Sequence, residues 1–242
     1  MPASVEGPVG LSFGRVADEY ERARPEYPAE AVDRAVAELA LTAESTVLDL
    51  AAGTGKLTRA LQARTAHVIA VEPDEGMRAK IDGDVRAGRA ESIPVDDDAV
   101  DAVFVADAFH WFDASSAIAE IRRVLRPAGG IALLWNHWPI PEDVPDAKAA
   151  LDRVWRRFHG DRTTFESTWE QELEAAFGPL AHARYERELR YSADLYADLC
   201  VTGSCPAALP DAERDVVRRE LRSHLPDENV LAVPTDVYWV RT

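Results

Sequence analysis

A chain of 242 residues, 47% hydrophobic and 29% charged, has the make-up of one globular domain with a sizeable core. Its net charge of −16, from 43 acidic against 27 basic residues, excludes nucleic-acid binding that depends on neutralising phosphates with Lys and Arg. Two cysteines, Cys200 and Cys205, are too few for a disulfide framework, and no apolar run reaches the about 18 residues of a membrane span, so a cytoplasmic protein with free thiols is expected.

Residues 1–12 hold Gly7, Pro8 and Gly10 and are expected to fray. A helix over 13–24 stops at Pro25, and a second over 28–41 begins on Pro28 and repeats Val32, Ala35, Val36 and Leu39 at helical spacing. Strands follow at 46–50, 67–71, 84–88, 100–106 and 131–135, with helices at 56–64, 74–81 and 113–125 between them; Pro127, Gly129 and Gly130 close the last helix. This alternation predicts a parallel sheet covered on both faces. Residues 136–178 break the rhythm with Pro139, Pro141 and Pro145 and two helical stretches, 146–159 and 166–177. The final strands are expected at 183–191 and 230–241, an antiparallel pair around helices at 192–202 and 210–225.

The predicted architecture is therefore α/β: a Rossmann-like, doubly wound, seven-stranded sheet, mostly parallel with an antiparallel last strand and helices on both faces. It reads as a single domain: residues 1–45 as N-terminal helices, 46–135 as the ligand-binding core, 136–178 as a helical insertion after strand five, and 179–242 as the rest of the sheet.

Residues 47–58 are the most informative stretch. Val47, Leu48 and Leu50 make a buried strand around Asp49, then Gly53 and Gly55 stand two apart before a helix. Such a turn lets a ligand approach the backbone closely. A dinucleotide fingerprint requires a third glycine where this chain has Thr58, and a P-loop requires a different spacing. The loop thus shows no specialisation for phosphate, and an adenosine cofactor without phosphate, S-adenosylmethionine, fits better. Glu72, about 20 positions on at the end of the second strand, is placed to accept both hydroxyls of a ribose. Its plainer role is a solvated carboxylate or the cap of the helix that follows.

The motifs as a set resemble class I S-adenosylmethionine-dependent methyltransferases, in the group of small-molecule enzymes that includes the trans-aconitate-methyltransferase-like ones. Asp49-Leu50-Ala51-Ala52-Gly53-Thr54-Gly55 is similar to that family's first motif, with Ala51 in place of the usual first glycine. Glu72-Pro73-Asp74-Glu75-Gly76-Met77 is similar to the second motif, Ala90-Glu91 to the segment that meets adenine, and Asp107-Ala108-Phe109-His110-Trp111-Phe112 to the motif after strand four. Phe13, Ala17, Tyr20, Arg24 and Tyr27 resemble the segment that covers the cofactor. The resemblance implies that Tyr20, Arg24, Asp49, Ala51, Gly53, Thr54, Gly55, Glu72, Pro73, Met77, Ala90, Glu91, Asp107, Ala108 and His110 surround S-adenosylmethionine. Tyr20 and Arg24 stand one helical turn apart and fit the methionine carboxylate; alternatively their helix only plugs a sheet edge. Met77 packs and, in addition, covers one face of adenine.

In open α/β sheets ligands bind beyond the carboxyl ends of the strands. After strand four come His110 and Trp111; after strand five come Asn136, His137 and Trp138. Trp111, Asn136 and Trp138 are the candidate acceptor contacts, while Phe112 and Trp135 read as packing residues. His110 and His137 are the candidate bases, because imidazole takes a proton near neutral pH; the alternative for His110 is a neutral packing residue. No metal motif, triad or nucleophilic cysteine points to other chemistry. The expected activity is methyl transfer to an O, N or C atom of a small molecule. Two alternatives stay open: a non-catalytic S-adenosylmethionine-binding or regulatory protein, and an NAD-dependent oxidoreductase, which Thr58 disfavours. Oligomeric state is not legible in the sequence.

Overall fold

The computed structural model describes residues 13–160 and 168–242; the expected fraying of 1–12 and the first turn of the 166–177 helix lie outside them. The described chain forms two compact units, one of residues 26–137, 168–186 and 234–242, the other of 13–25, 138–160 and 187–233.

The first unit is a seven-stranded sheet. Its strands are β1 (Thr46–Leu50), β2 (His67–Val71), β3 (Asp84–Arg86), β4 (Val100–Ala106), β5 (Leu125–Asn136) and β6 (Ala181–Tyr185). In the second unit β7 (Glu188–Ser192) pairs with β8 (Glu228–Ala232), and β9 (Thr235–Arg241) completes the sheet of the first. The sheet order is β3-β2-β1-β4-β5-β9-β6. Only β9 runs against its neighbours, β5 and β6. The order reverses at β1, which lies between β2 and β4 and makes a crevice beyond their carboxyl ends.

Alternation along the strands divides the core in two. Val47, Ala102, Phe104, Ala132, Leu134 and Trp239 face α2 (Ala29–Glu38) and α3 (Lys56–Gln62). Leu48, Leu50, Val103, Val105, Leu133 and Val240 face α5 (Ala114–Val124) and α7 (Trp169–Phe177). Asp49 therefore occupies an apolar register position under α3, where a hydrophobic residue would be expected. Two helices of this unit start on capping side chains. Asp113 accepts from Ser116 N at the head of α5, and Asp74 accepts from Met77 N at the head of α4 (Glu75–Arg78).

The second unit packs α1 (Ala17–Ala23), α6 (Pro145–His159), α8 (Ala193–Val201), α9 (Ser204–Ala207) and α10 (Asp211–His224) beside the β7–β8 ribbon. Cys200 and Cys205 are buried free thiols there, and burial pushes Cys200 up to about 12. No helix among the described residues is long and apolar enough to cross a membrane.

Two expectations need correction. The strand at 131–135 starts six residues earlier, because the expected stop at Pro127 and Gly129-Gly130 is a bulge, not an end. The ladder with β4 passes from the Leu125 pair to the Gly130 pair, and Ala128 takes a left-handed φ of 63° between them. The single strand expected at 183–191 is two strands in two different sheets, parted at Glu186-Arg187. For the same reason only 235–241 of the expected 230–241 strand joins the main sheet.

Candidate cofactor and acceptor site

The turn from β1 into α3 is built on positive φ. Ala51, Gly53 and Gly55 have φ of 60°, 58° and 85°. Ala51 explains its own oddity: it holds a left-handed conformation that glycine adopts without strain, at the position where the resembling motif has glycine. A Cβ on Gly55 would meet Ile81 at 3.0 Å, whereas one on Gly53 would meet nothing within 4 Å, so the loop is open on the Gly53 side. Gly55 is the N-cap of α3.

Glu72 closes this loop against β2. Its Oε2 accepts from Gly53 N and its Oε1 from Asp74 N, both at 2.9 Å. The capping role belongs to Asp74, not Glu72. Arg78 donates to the carbonyls of Glu72 and Pro73 and fixes the turn. Each Glu72 oxygen keeps lone pairs for further donors. Glu72 is 7% exposed, and burial raises its carboxyl above the usual range.

Asp49 is fully buried and accepts from Thr58 Oγ1 at 2.5 Å through Oδ2. Its Oδ1 has no hydrogen-bond partner among the described residues, and neither has the buried Thr54 Oγ1. Desolvation, with a smaller push from Glu72, carries the Asp49 carboxyl up to about 7 against the Thr58 hydrogen bond. Thr58, the residue that breaks the dinucleotide pattern, is thus the one that holds Asp49, a link sequence reasoning missed although an i, i+9 spacing across a strand–helix turn was there to suggest it.

Met77 and Ala90 are buried, as is Ala108; Glu91 Oε1 accepts from Asp113 N. Phe109 is 1% exposed and packs on Phe112 at 5.2 Å, whereas Trp111 is 42% exposed beside the His110 ring. His110 is exposed, and partial desolvation of its ring holds the imidazole below its ordinary range. Asp107, at φ 51°, accepts from Tyr27 Oη at 2.8 Å and from Asn136 N at 3.1 Å, tying the ends of β4 and β5 together. Asn136 is buried, and its Oδ1 accepts from Thr235 Oγ1 at 2.6 Å. His137 is half exposed, with Nε2 2.8 Å from Asp236 Oδ2. Trp135 is a packing residue, stacked on Trp169 at 4.2 Å.

Tyr20, Arg24 and Trp138 belong to the other unit. Arg24 follows the last turn of α1, donates to Thr202 Oγ1 and Thr202 O, and lies over the rings of Trp138 at 3.8 Å and Tyr20 at 4.8 Å.

Comparison with known proteins decides the family. The methyltransferase-domain family model matches residues 48–133, the stretch from Asp49's strand to β5. An uncharacterized methyltransferase of Schizosaccharomyces pombe is 31% identical over 232 residues, covering 93% of this chain and 90% of its own. The chain belongs to the class I S-adenosylmethionine-dependent methyltransferase family. An uncharacterized methyltransferase of Mycobacterium tuberculosis is 50% identical over 133 residues, 53% of each chain, so the match spans about half the length of that relative. In fold, a candidate type II methyltransferase from Anaeromyxobacter dehalogenans superposes with a TM-score of 0.58 over 90% of this chain and 97% of its own, at 23% identity.

The cofactor of this methyltransferase family fits the residues present. A cationic amine is the donor that a buried, half-satisfied Asp49 lacks, and ribose hydroxyls are donors that suit the free lone pairs of Glu72. The open side of Gly53 leaves room for a ligand against the backbone.

Proposed function

We propose that this methyltransferase-family chain binds S-adenosylmethionine in the β1–β2–β4 crevice and transfers its methyl group to an O, N or C atom of a small molecule. The observation that carries the reading is Asp49, a buried carboxylate with one oxygen lacking a partner among the described residues, beside a loop closed by Glu72. Bound there, the cofactor supplies a sulfonium methyl already activated toward a nucleophile. Asp49 and the Gly53–Gly55 backbone hold its amino-acid end, Glu72 its ribose, and Met77, Ala90 and Glu91 its adenine. The protein's remaining work is to place the acceptor in line and exclude water, with Trp111 and Asn136 as acceptor contacts. His137 or His110 receives the proton where the acceptor carries one.

Calorimetry with S-adenosylhomocysteine and with NAD tests the site. The wild-type protein is expected to bind the first and not the second; binding of NAD alone overturns the reading. Glu72→Ala removes two charge-assisted hydrogen bonds and is expected to weaken S-adenosylhomocysteine by roughly 100-fold, with the fold retained by circular dichroism. Unchanged affinity would place the ribose elsewhere. Turnover of labelled S-adenosylmethionine with candidate acceptors separates an enzyme from a protein that only binds the cofactor.

A further inference from the structure

We propose that Asp236 is a positioning residue for His137, fixing that imidazole so that Nδ1 is the open proton acceptor at the carboxyl edge of the sheet; this rests on the methyl-transfer reading above. Asp236 faces Trp135 across the β5–β9 ladder and is 5% exposed. Three donors converge on it: His137 Nε2 at 2.8 Å, Arg184 Nη1 at 3.1 Å and, on the other oxygen, His182 Nε2 at 2.7 Å. A carboxylate accepts only, so each Nε2 at hydrogen-bond distance from it must carry a hydrogen. Neutral His137 then has its proton on Nε2 and its lone pair on Nδ1. The backbone is pinned as well, because His137 N donates to Pro234 O at 2.9 Å, two residues before Asp236. Ring and main chain of His137 are thus held by one short segment of β9's approach.

His182 shares the carboxylate but not the place. It pairs with Tyr238 on the edge strand β6, two residues further down β9, and stacks on that ring at 4.5 Å. His137 follows the carboxyl end of β5, next to Asn136 and the Asp107 link to β4. His110 is after β4 but shows no carboxylate partner among the described residues; its ring contact is Trp111 at 4.8 Å. Of the three, His137 combines position at the ligand edge with a fixed tautomer.

In the step assigned to it, the acceptor's X–H bond breaks and the proton goes to Nδ1 as the X–CH3 bond forms. The electron pair of the breaking S–CH3 bond stays on sulfur. Asp236 takes no proton; it balances the imidazolium that forms.

Long-range proton–nitrogen NMR of the cofactor-free protein tests this, with His137→Gln and His182→Gln assigning the two rings. His137 is expected as the Nε2–H form with a visible, exchange-protected ring proton. Asp236→Asn is expected to abolish that protection, Asp236→Glu to restore it in part, and His182→Gln to leave it intact. An Nδ1–H ring in the wild type, or a His137 signal indifferent to Asp236→Asn, overturns the assignment. S-adenosylhomocysteine affinity is expected to stay within about twofold in all these variants, so failure of cofactor binding in the wild type condemns the methyltransferase reading without touching the dyad. Where turnover is measured, His137→Gln and Asp236→Asn are expected to lower kcat about 100-fold or more at constant KM for the cofactor; full turnover in both also overturns the role.

Discussion

At the scale of single residues, Asp49 is a carboxyl buried at a cost. Its carboxyl is raised from 3.8 to about 7. A raised native value means the folded protein binds the proton more tightly than the unfolded chain. The favourable contribution is therefore complete below about pH 4 and is lost as pH rises through about 7, on the order of 4 kcal/mol in all. Carboxylates paired with arginine, such as Glu120 with Arg123, have lowered values and slope the other way. The difference between wild type and Asp49→Asn isolates the one group. Urea unfolding from pH 4 to 7 is expected to show wild-type stability falling relative to Asp49→Asn, and bound S-adenosylmethionine to flatten that fall by supplying a cation. A pH-independent difference would mean that Asp49 stays solvated. The identity of Asp49, Gly53, Gly55 and Glu72 as a set was legible in the sequence, since strand, turn and next strand are local and their spacing is narrow. The hydrogen bond from Thr58 and the unused lone pairs on Oδ1 were not, because they depend on how α3 lies over β1.

Among elements, the second unit turns on one buried carboxylate. Asp198 of α8, 2% exposed, accepts from Arg22 of α1 at 3.0 and 2.6 Å and from Arg218 of α10. Both arginines are partly solvated, so they lose little when Asp198 goes, whereas Asp198 without them is an uncompensated buried charge. The Arg22→Ala/Arg218→Ala double variant is expected to lose about 3 kcal/mol or more, and Asp198→Asn less, by urea midpoints. The opposite ranking would show that the arginines, not the carboxylate, carry the strain. Strands β1, β2 and β4 were read to the residue because their apolar patterns and bounding turns are local. The parting at Glu186-Arg187 was not, because the alternation of Ala183, Tyr185, Leu189 and Tyr191 hides it and no glycine or proline marks the break. The Asp236 cluster was equally invisible: its donors lie at positions 137, 182 and 184, brought together only by the β5–β9–β6 pairing.

For the whole molecule the excess of 43 acidic over 27 basic residues sets a self-repulsion that salt screens. Raising ionic strength from about 0.02 to 0.2 M shortens the screening length to about 7 Å. The Tm is expected to rise by a few degrees in calorimetry; a fall would mean that local ion pairs outweigh the long-range field. A separate consequence concerns synthesis. β9 follows every other strand in the chain, yet it lies between β5 and β6. While the chain grows, β5 keeps a bare apolar edge and β6 has no partner in the sheet, through the whole of β7, α8, α9, α10 and β8. Asp236, on which His137, His182 and Arg184 converge, arrives with that same strand. A nascent chain thus completes the β1–β2–β4 crevice long before it acquires Asp236, and it carries an aggregation-prone edge for the interval between.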